Sequence, residues 1–534
     1  MAAAKGRKGC HPARAAHLDG SQLTVGRQRG TIAAMALKTN NTRIPDGLLV
    51  FCLLACWLPS GSAQEIDADP PPNVLFLFTD DQQHDTIRAL GNPHIHTAHT
   101  DQLVERGTAF VNAYIMGGSS PGVCLPARAS LLTGRSLWNI ENQGIWGYEI
   151  SAANKTLPEV FSAKGYLTFA TGKNDPGRSG QFARAYTHAD KILFQGMTRS
   201  QYRLPLHTFA ADGDYRSQQP VLHEGTHSAE VYADACIRFL EQQADNPRPF
   251  YAYVAFQTPH DPRQSPEKYR AMYPDEDVIL PESFMPAHPF DNGMLRIRDE
   301  NLAGFPRTEA EVRRHLADYH AIISHTDAQI GRILAALERT GRMDNTIIVF
   351  ASDNGLALGR HGLMGKQNIY EHSVRVPLVI AGPGIPQGER REQLCYLYDI
   401  YPTLCDLAGL EVPETVEFQS LVPALRDPGA PHRTHLYAAF MSWQRAVRDE
   451  QFKLIEYVVD GVRSTQLFDL QKDPWELDNL AGDPEFGEIL VRLRGILRQE
   501  RLRLNDGNVP YEFANEQGQA FWEIYESTGE TVFP

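Results

Sequence analysis

Residues 73–81 read Asn-Val-Leu-Phe-Leu-Phe-Thr-Asp-Asp, an apolar run that stops on two adjacent carboxylates. Its Val74–Phe78 core lacks the alternation of a half-exposed strand and is bounded by polar residues, the pattern of a strand covered on both faces. Similar runs recur at Thr168–Ala170, Phe250–Phe256, Thr346–Ala351 and Pro377–Ala381. Helical patterns lie between them. Thr156-Leu-Pro-Glu159 is a capping box opening a helix that Gly165 stops. Ile322, Ile323, Ile330, Ile333, Leu334 and Leu337 form one apolar stripe on a helix expected over 309–340. Strands alternating with helices predict an α/β fold, a large mixed, mostly parallel sheet sandwiched by helices. Beyond about residue 411 a Pro-rich linker leads to short strand patterns at Tyr437–Phe440, Arg445–Val447, Phe452–Val459 and Gln466–Asp469, then to a helix over 484–504. These predict a small C-terminal α+β subdomain on an antiparallel sheet. The expected boundaries are 70–412 for the main domain and 413–534 for the subdomain, with 1–63 apart from both.

In open α/β sheets ligands sit at the carboxyl ends of the strands. Asp80 and Asp81, Lys173, His260, and Asp353 with Asn354 each follow a different strand candidate. Four polar clusters are therefore expected on one sheet edge. Asp80, Asp81, Asp353 and Asn354 are hard oxygen donors without accompanying Cys or paired His ligands, a set suited to Ca²⁺, with Mg²⁺ as the second choice. Taken singly, Thr-Asp-Asp-Gln also reads as a helix cap and Ser-Asp-Asn-Gly as a turn. Residues 122–135 read Gly-Val-Cys-Leu-Pro-Ala-Arg-Ala-Ser-Leu-Leu-Thr-Gly-Arg. Pro126 suits a first helical turn and Gly134 stops the helix, so Cys124 sits at a helix N-terminus, where the dipole favours an anion. Arg128, one turn on, adds a planar cationic fork. Together they suit a tetrahedral anion.

The Cys124-Leu-Pro-Ala-Arg128 run with its Ser-Leu-Leu-Thr-Gly-Arg tail resembles the signature of the type I sulfatases. Thr79-Asp-Asp-Gln82, Thr258-Pro-His260, Ser352-Asp-Asn-Gly355, His361-Gly-Leu-Met-Gly-Lys366 and Phe468-Asp-Leu470 follow in the family's order, from about residue 72 to 480. The resemblance implies an alkaline-phosphatase-like fold, a catalytic domain over 70–412 and a sulfuric ester hydrolase. It implies that a formylglycine-generating or sulfatase-maturating enzyme oxidises Cys124 to formylglycine (3-oxoalanine), whose hydrate is the nucleophile. That residue would also ligate the metal, beside Asp80, Asp81, Asp353 and Asn354. Arg128 would hold the hydrate, Lys173 and Lys366 would clamp sulfate oxygens or the hydrate, and His260 would serve the leaving oxygen as general acid. One position departs from the family. Its usual Gly-Lys-x-His is here Gly172-Lys-Asn-Asp175, leaving Asp175 as a replacement base or a further metal ligand.

Substrate contacts are expected from Asp261 and Arg263, beside the proposed acid, and from Arg360 and His361, near Lys366, since planar charged groups suit sugar hydroxyls and anions. Trp443, Arg445 and Arg448 read equally as part of the same mouth or as packing. A sulfated carbohydrate is the favoured substrate. The alternatives are a phosphonate monoester or phosphodiester hydrolase of the same superfamily, and a non-catalytic binder of sulfated polysaccharide.

The formal charge of −14 argues against a nucleic-acid partner, and more so because the first 63 residues are net basic. Within them, Gly47–Leu58 is a short apolar run behind Lys38 and Arg43, followed by Ser60-Gly-Ser-Ala63. This is the pattern of a secretory signal peptide with Met35 as a natural start, and no transmembrane segment is expected after its removal. A secreted or periplasmic location follows, with lipoprotein anchoring through Cys56 as a variant. Cleavage at Ala63 leaves Cys124, Cys236, Cys395 and Cys405, which form no disulfide framework or zinc spacing.

Overall fold

The apolar runs form strands where the pattern puts them, and most extend into the polar residues that follow. The computed structural model describes residues 70–140, 150–174, 180–215 and 217–506. The signal-peptide pattern, Met35 and Cys56 lie outside the described residues. In chain order the principal strands are β1 (Asn73–Asp80), β2 (Gly107–Phe110), β3 (Gly117–Gly118), β4 (Leu167–Lys173), β5 (His188–Leu193), β6 (Phe250–Pro259), β7 (Thr346–Ser352), β8 (Leu378–Ala381), β9 (Glu389–Arg391), β10 (Leu436–Phe440), β11 (Gln444–Arg448), β12 (Phe452–Val459) and β13 (Val462–Asp469). The helices that matter most for the site are α1 (Cys124–Thr133), α2 (Leu157–Ala163), α3 (Ser228–Gln242), α4 (Glu309–Arg339) and α5 (Gly487–Leu504).

An eight-stranded sheet has the order β9-β2-β8-β7-β1-β6-β4-β5. Strands β7, β1, β6 and β4 are adjacent and mutually parallel, so their carboxyl ends share one edge. The last expected strand, β8, runs antiparallel to β7 and makes the sheet mixed. Side chains alternate between two cores. Leu75, Leu77, Ala252, Val254, Ile348 and Phe350 face one way, against Val231, Tyr232 and Phe239 of α3 and Ile330, Ile333 and Leu337 of α4. Val74, Phe76, Phe78, Tyr251, Tyr253, Ile347 and Val349 face the other, against Ala127 and Leu131 of α1 and Val160 and Phe161 of α2. Each fully buried Leu, Ile or Phe contributes about 1.5–3 kcal/mol, which makes these strands the rigid part of the fold. The capping box forms as read, with the Thr156 N–H donating to Glu159 Oε2 at 2.9 Å.

A second, five-stranded sheet has the order β13-β12-β11-β10-β3. Its C-terminal strands are antiparallel, as the sequence pattern predicts. The added strand is β3, two glycines from far earlier in the chain that pair in parallel with β10. Tyr437, Leu454, Ile455 and Leu467 of this sheet and Leu493 and Leu497 of α5 share a continuous apolar core with α1 and α2. No helix among the described residues is long and apolar enough to cross a membrane.

Candidate functional site

Each of the four parallel strands ends on a polar residue of the site or within two residues of one. Asp80 closes β1 and Lys173 closes β4, while His260 follows β6 and Asp353 follows β7. Adjacent parallel strands lie about 4.8 Å apart, so their ends bring these groups together without help from long loops. Helix α1 begins at Cys124 on the same edge. One turn on, Arg128 shares a helix face with Cys124.

The contacts are dense and buried. Lys173 Nζ donates to Asp80 Oδ2 and lies 3.4 Å from Cys124 Sγ. Lys366 Nζ donates to Asp81 Oδ1 at 2.5 Å, and Asn354 Nδ2 donates to the same oxygen at 2.7 Å. Arg128 Nε donates to Asp353 Oδ2 at 2.7 Å and its NH1 to the Lys173 carbonyl at 3.2 Å. The same guanidinium lies over the Phe78 ring, 4.9 Å from its centroid. His260 Nδ1 donates to the Asp261 carbonyl at 2.8 Å. Because a carbonyl only accepts, this bond fixes the proton on Nδ1 and turns Nε2 toward Asp81 Oδ2, 3.7 Å away.

Asp81 has φ +68°, a left-handed conformation costing about 1–3 kcal/mol outside glycine. Two bonds hold it: its N–H donates to Asp353 Oδ1 at 3.1 Å, and Tyr319 OH donates to its carbonyl at 2.6 Å. Tyr319, on α4, is a positioning residue that sequence reading missed, because an isolated tyrosine on an apolar helix face carries no signal of its own.

The electrostatics are those of crowded carboxylates. Burial and the neighbouring Asp80 push Asp353 up to about 6, against the pull of Arg128 and Lys173. Burial alone would raise Asp80 too, but Lys173 and Arg128 outweigh it and hold that carboxyl well below its usual range. Lys366 is raised although burial opposes its charge, because Asp81 faces it. Ligand atoms of Asp80, Cys124 and Asp353 lie within 4.8 Å of one another, as do those of Asp80, Asp81 and His260. Asp80 Oδ1 and Asn354 Oδ1 are buried without a hydrogen-bond partner. Two orphaned hard oxygens beside paired carboxylates fit a divalent cation with oxygen preference.

The remaining expected residues turn to other protein partners. Asp261 presents its carboxylate to Arg298, which grips both oxygens at 2.5 and 3.0 Å, so its direct partner is protein. Arg263 NH1 lies 3.4 Å from His315 Nδ1, with the guanidinium 6.0 Å from the Tyr319 ring centroid. Arg360 turns to Asp85, donating at 2.6 Å. His361 stacks on Tyr370 with centroids 4.0 Å apart and planes at 14°. The structure brings neither Arg360 nor His361 into contact with the cluster. Arg445 pairs with Asp506 and Arg448 with Tyr114, a packing role. Asp175 lies outside the described residues.

Comparison with known proteins identifies the family. A family model described as Sulfatase matches residues 72–410, and one described as N-sulphoglucosamine sulphohydrolase, C-terminal, matches residues 359–503. An ulvan-active sulfatase of Formosa agariphila is 29% identical over 529 residues, covering 94% of this chain and 97% of that one. An arylsulfatase of Clostridium perfringens is 30% identical over 465 residues, covering 80% and 94%. A protein solved in complex with its substrate D-glucosamine-2-N,6-O-disulfate shares the fold, with a TM-score of 0.68 at 23% identity over 83% of this chain and 100% of that one. With that match spanning the strands whose ends carry the carboxylates, the chain belongs to the sulfatase family of the alkaline-phosphatase-like superfamily, and it is a sulfuric ester hydrolase.

Proposed function

We propose that this sulfatase is exported and removes sulfate from a carbohydrate, using a formylglycine made from Cys124 and a bound divalent cation, Ca²⁺ before Mg²⁺. The observation that carries the reading is the position of Cys124. Its sulfur sits at a helix N-terminus, 3.4 Å from Lys173 Nζ and beside the Asp80 and Asp353 carboxylates. A sugar substrate is supported by the D-glucosamine-2-N,6-O-disulfate bound by the structural relative. Export is supported by the basic, apolar and small-residue run over 38–63.

The cation would be held by Asp80, Asp81, Asp353 and Asn354, and when bound it would bear part of the sulfate charge. Formylglycine at 124, supplied by a maturating enzyme, would furnish the nucleophile that a thiol does not. The chain's own residues do the rest. Three carboxylates face Arg128, Lys173 and Lys366, so the cluster carries no surplus charge by itself, and a divalent cation would give it the positive sign that an anionic ester needs. Lys173 and Lys366, both fully enclosed, orient sulfate oxygens as fixed point charges. Arg128 anchors Asp353 and ties α1 to the end of β4. His260, its Nδ1 proton committed to the Asp261 carbonyl, turns Nε2 toward the leaving oxygen and, as the imidazolium with both nitrogens protonated, would give its Nε2 proton there as general acid. The Asp261–Arg298 pair supports that ring rather than the substrate. Asp175, two residues beyond Lys173, is proposed as the base in place of the family's usual His.

The test is mass spectrometry of the Cys124 peptide from protein co-expressed with a maturating enzyme, together with sulfate release from 4-nitrophenyl sulfate and 6-O-sulfated glucosamine. Thiol-to-aldehyde conversion and release from the sugar are expected. An unmodified Cys124 in active protein, or faster turnover of phenyl phosphonate than of any sulfate ester, would refute the reading.

A further inference from the structure

The loop that follows Asp81 and the loop that precedes Lys366 also wall a second cavity. It is a cleft of about 610 Å³ between these loops, the 272–282 segment and the turn at Trp475. Neither the four strand-end clusters nor Cys124 and Lys366 line it. Its size falls in the range of small-molecule sites, roughly 300–1,000 Å³.

One wall is built for a polar ligand. Arg360 is only 8% exposed, and its NH2 donates to Asp85 Oδ2 at 2.6 Å. Its Nε and NH1, together with Asp85 Oδ1 and His84 Nδ1, are buried with no hydrogen-bond partner. A buried guanidinium with spare N–H groups costs free energy until something accepts from them. The guanidinium carbon lies 5.9 Å from the Trp475 ring centroid. Neighbouring donors and acceptors next to an indole match a sugar ring, whose hydroxyls donate and accept side by side and whose C–H face packs on aromatic surface.

The charge of the cleft selects which sugar. Asp85 already neutralises Arg360, and Asp277 and Glu282 add two acids to the lining. Arg375, the other guanidinium there, donates to the Val111 carbonyl at 2.7 Å and lies 3.8 Å from Glu371. Burial pushes His84 down to about 3, so it stays neutral. No spare positive charge remains for a sulfate group. We propose that this cleft binds an unsulfated sugar unit, with Trp475 as its platform and the Asp85–Arg360 pair as its hydroxyl-binding fork. The inference rests on the carbohydrate reading above and extends it: a glycan would present a sulfated unit to one site and a neutral unit to the other.

Binding of chitohexaose, xylohexaose, mannohexaose and 6-O-sulfated chitohexaose to the full chain, followed by calorimetry, tests this. At least one neutral hexasaccharide is expected to bind, and Trp475→Ala should weaken it by about tenfold while 4-nitrophenyl sulfate turnover stays unchanged. Asp85→Asn, nearly isosteric, should shift preference toward the sulfated hexasaccharide by uncovering the Arg360 charge. Failure of every neutral hexasaccharide to bind wild type, equal binding by Trp475→Ala, or an unshifted preference in Asp85→Asn would overturn the inference. If sulfated saccharides are still hydrolysed in that event, the proposed function stands alone. Neutral-sugar binding without any saccharide sulfatase activity would instead overturn the proposed function.

Discussion

At the scale of single residues, Cys124 and Asp353 carry separable predictions. Cys124 is buried and contributes one small side chain to packing. Cys124→Ala should therefore abolish sulfate release while moving the melting temperature by no more than a few degrees; retention of a tenth of the wild-type rate, on the order of 1.4 kcal/mol in barrier, would sink its assignment. Asp353 joins the two halves of the proposed cation cluster, taking Arg128 on one oxygen and the Asp81 N–H on the other. A cation that binds only the folded state stabilises it by about 3–4 kcal/mol at 100–1,000 times its dissociation constant. Calcium should raise the melting temperature of wild type, and Asp353→Asn should lose most of that rise. Equal calcium shifts in the two proteins, measured after exhaustive chelation and dialysis, would place the cation elsewhere. Sequence alone marked both residues, since each lies in a dense local pattern. It did not reveal that Asp261 would be taken by Arg298 or that Arg360 would turn to Asp85. Proximity to Lys366 in the chain says nothing of direction where Leu358, Gly359, His361 and Gly362 all have positive φ.

Among the elements, β4 shows how a strand delivers a side chain to the site. Between Ala170 and Gly172 its pairing with β5 shifts register, and Gly172 adopts φ +86° before Lys173 turns into the site. A Cβ at Gly172 would stand 2.0 Å from the Ala255 carbonyl, whereas one at Gly165, at φ +87°, would meet nothing within 4 Å. Gly165→Ala should then cost about 1 kcal/mol, the backbone term alone. Gly172→Ala adds the collision with β6, and should cost at least 2–3 kcal/mol, roughly, and lower turnover by displacing Lys173. Denaturant unfolding of both variants decides it; equal costs would mean that the bulge does not aim Lys173. The buried strands and their polar ends were legible because long apolar runs leave little choice of environment. Strands as short as β3 and β9 were not, since two or three residues carry no period. Nor was the antiparallel sense of β8, which depends on how the chain returns from the 355–375 loops rather than on the strand's own residues.

For the whole molecule, the interior holds more histidine than its apolar cores suggest, and this sets the response to acid. Burial, the largest cause in each case, pushes His84, His227 and His361 down to about 3 and His315 and His320 to about 4. Burial likewise lowers His288 and His325 to about 4 and holds His372 well below its usual value. A depressed histidine stabilises the fold fully above the unfolded value near 6.5, and that contribution is lost as pH falls toward the folded value. Glu476, raised to about 7 by burial despite Lys453, acts in the opposite sense, losing stability as pH rises through that value. The histidines outnumber it. Even at about 1 kcal/mol apiece they rival the ~5–15 kcal/mol margin of a typical fold. The melting temperature at fixed ionic strength should therefore fall steeply between pH 6.5 and 4, before most carboxylates titrate. His372 is stacked against Tyr370 and His361, and its Nε2 is buried without a partner. His372→Phe keeps an aromatic ring there and removes the proton site. Its melting temperature relative to wild type should rise as the solution is acidified through that window, whatever its value at neutral pH. A gap that stays constant would show that His372 does not take up a proton on unfolding, and would leave the acid sensitivity to the other buried histidines and the carboxylates.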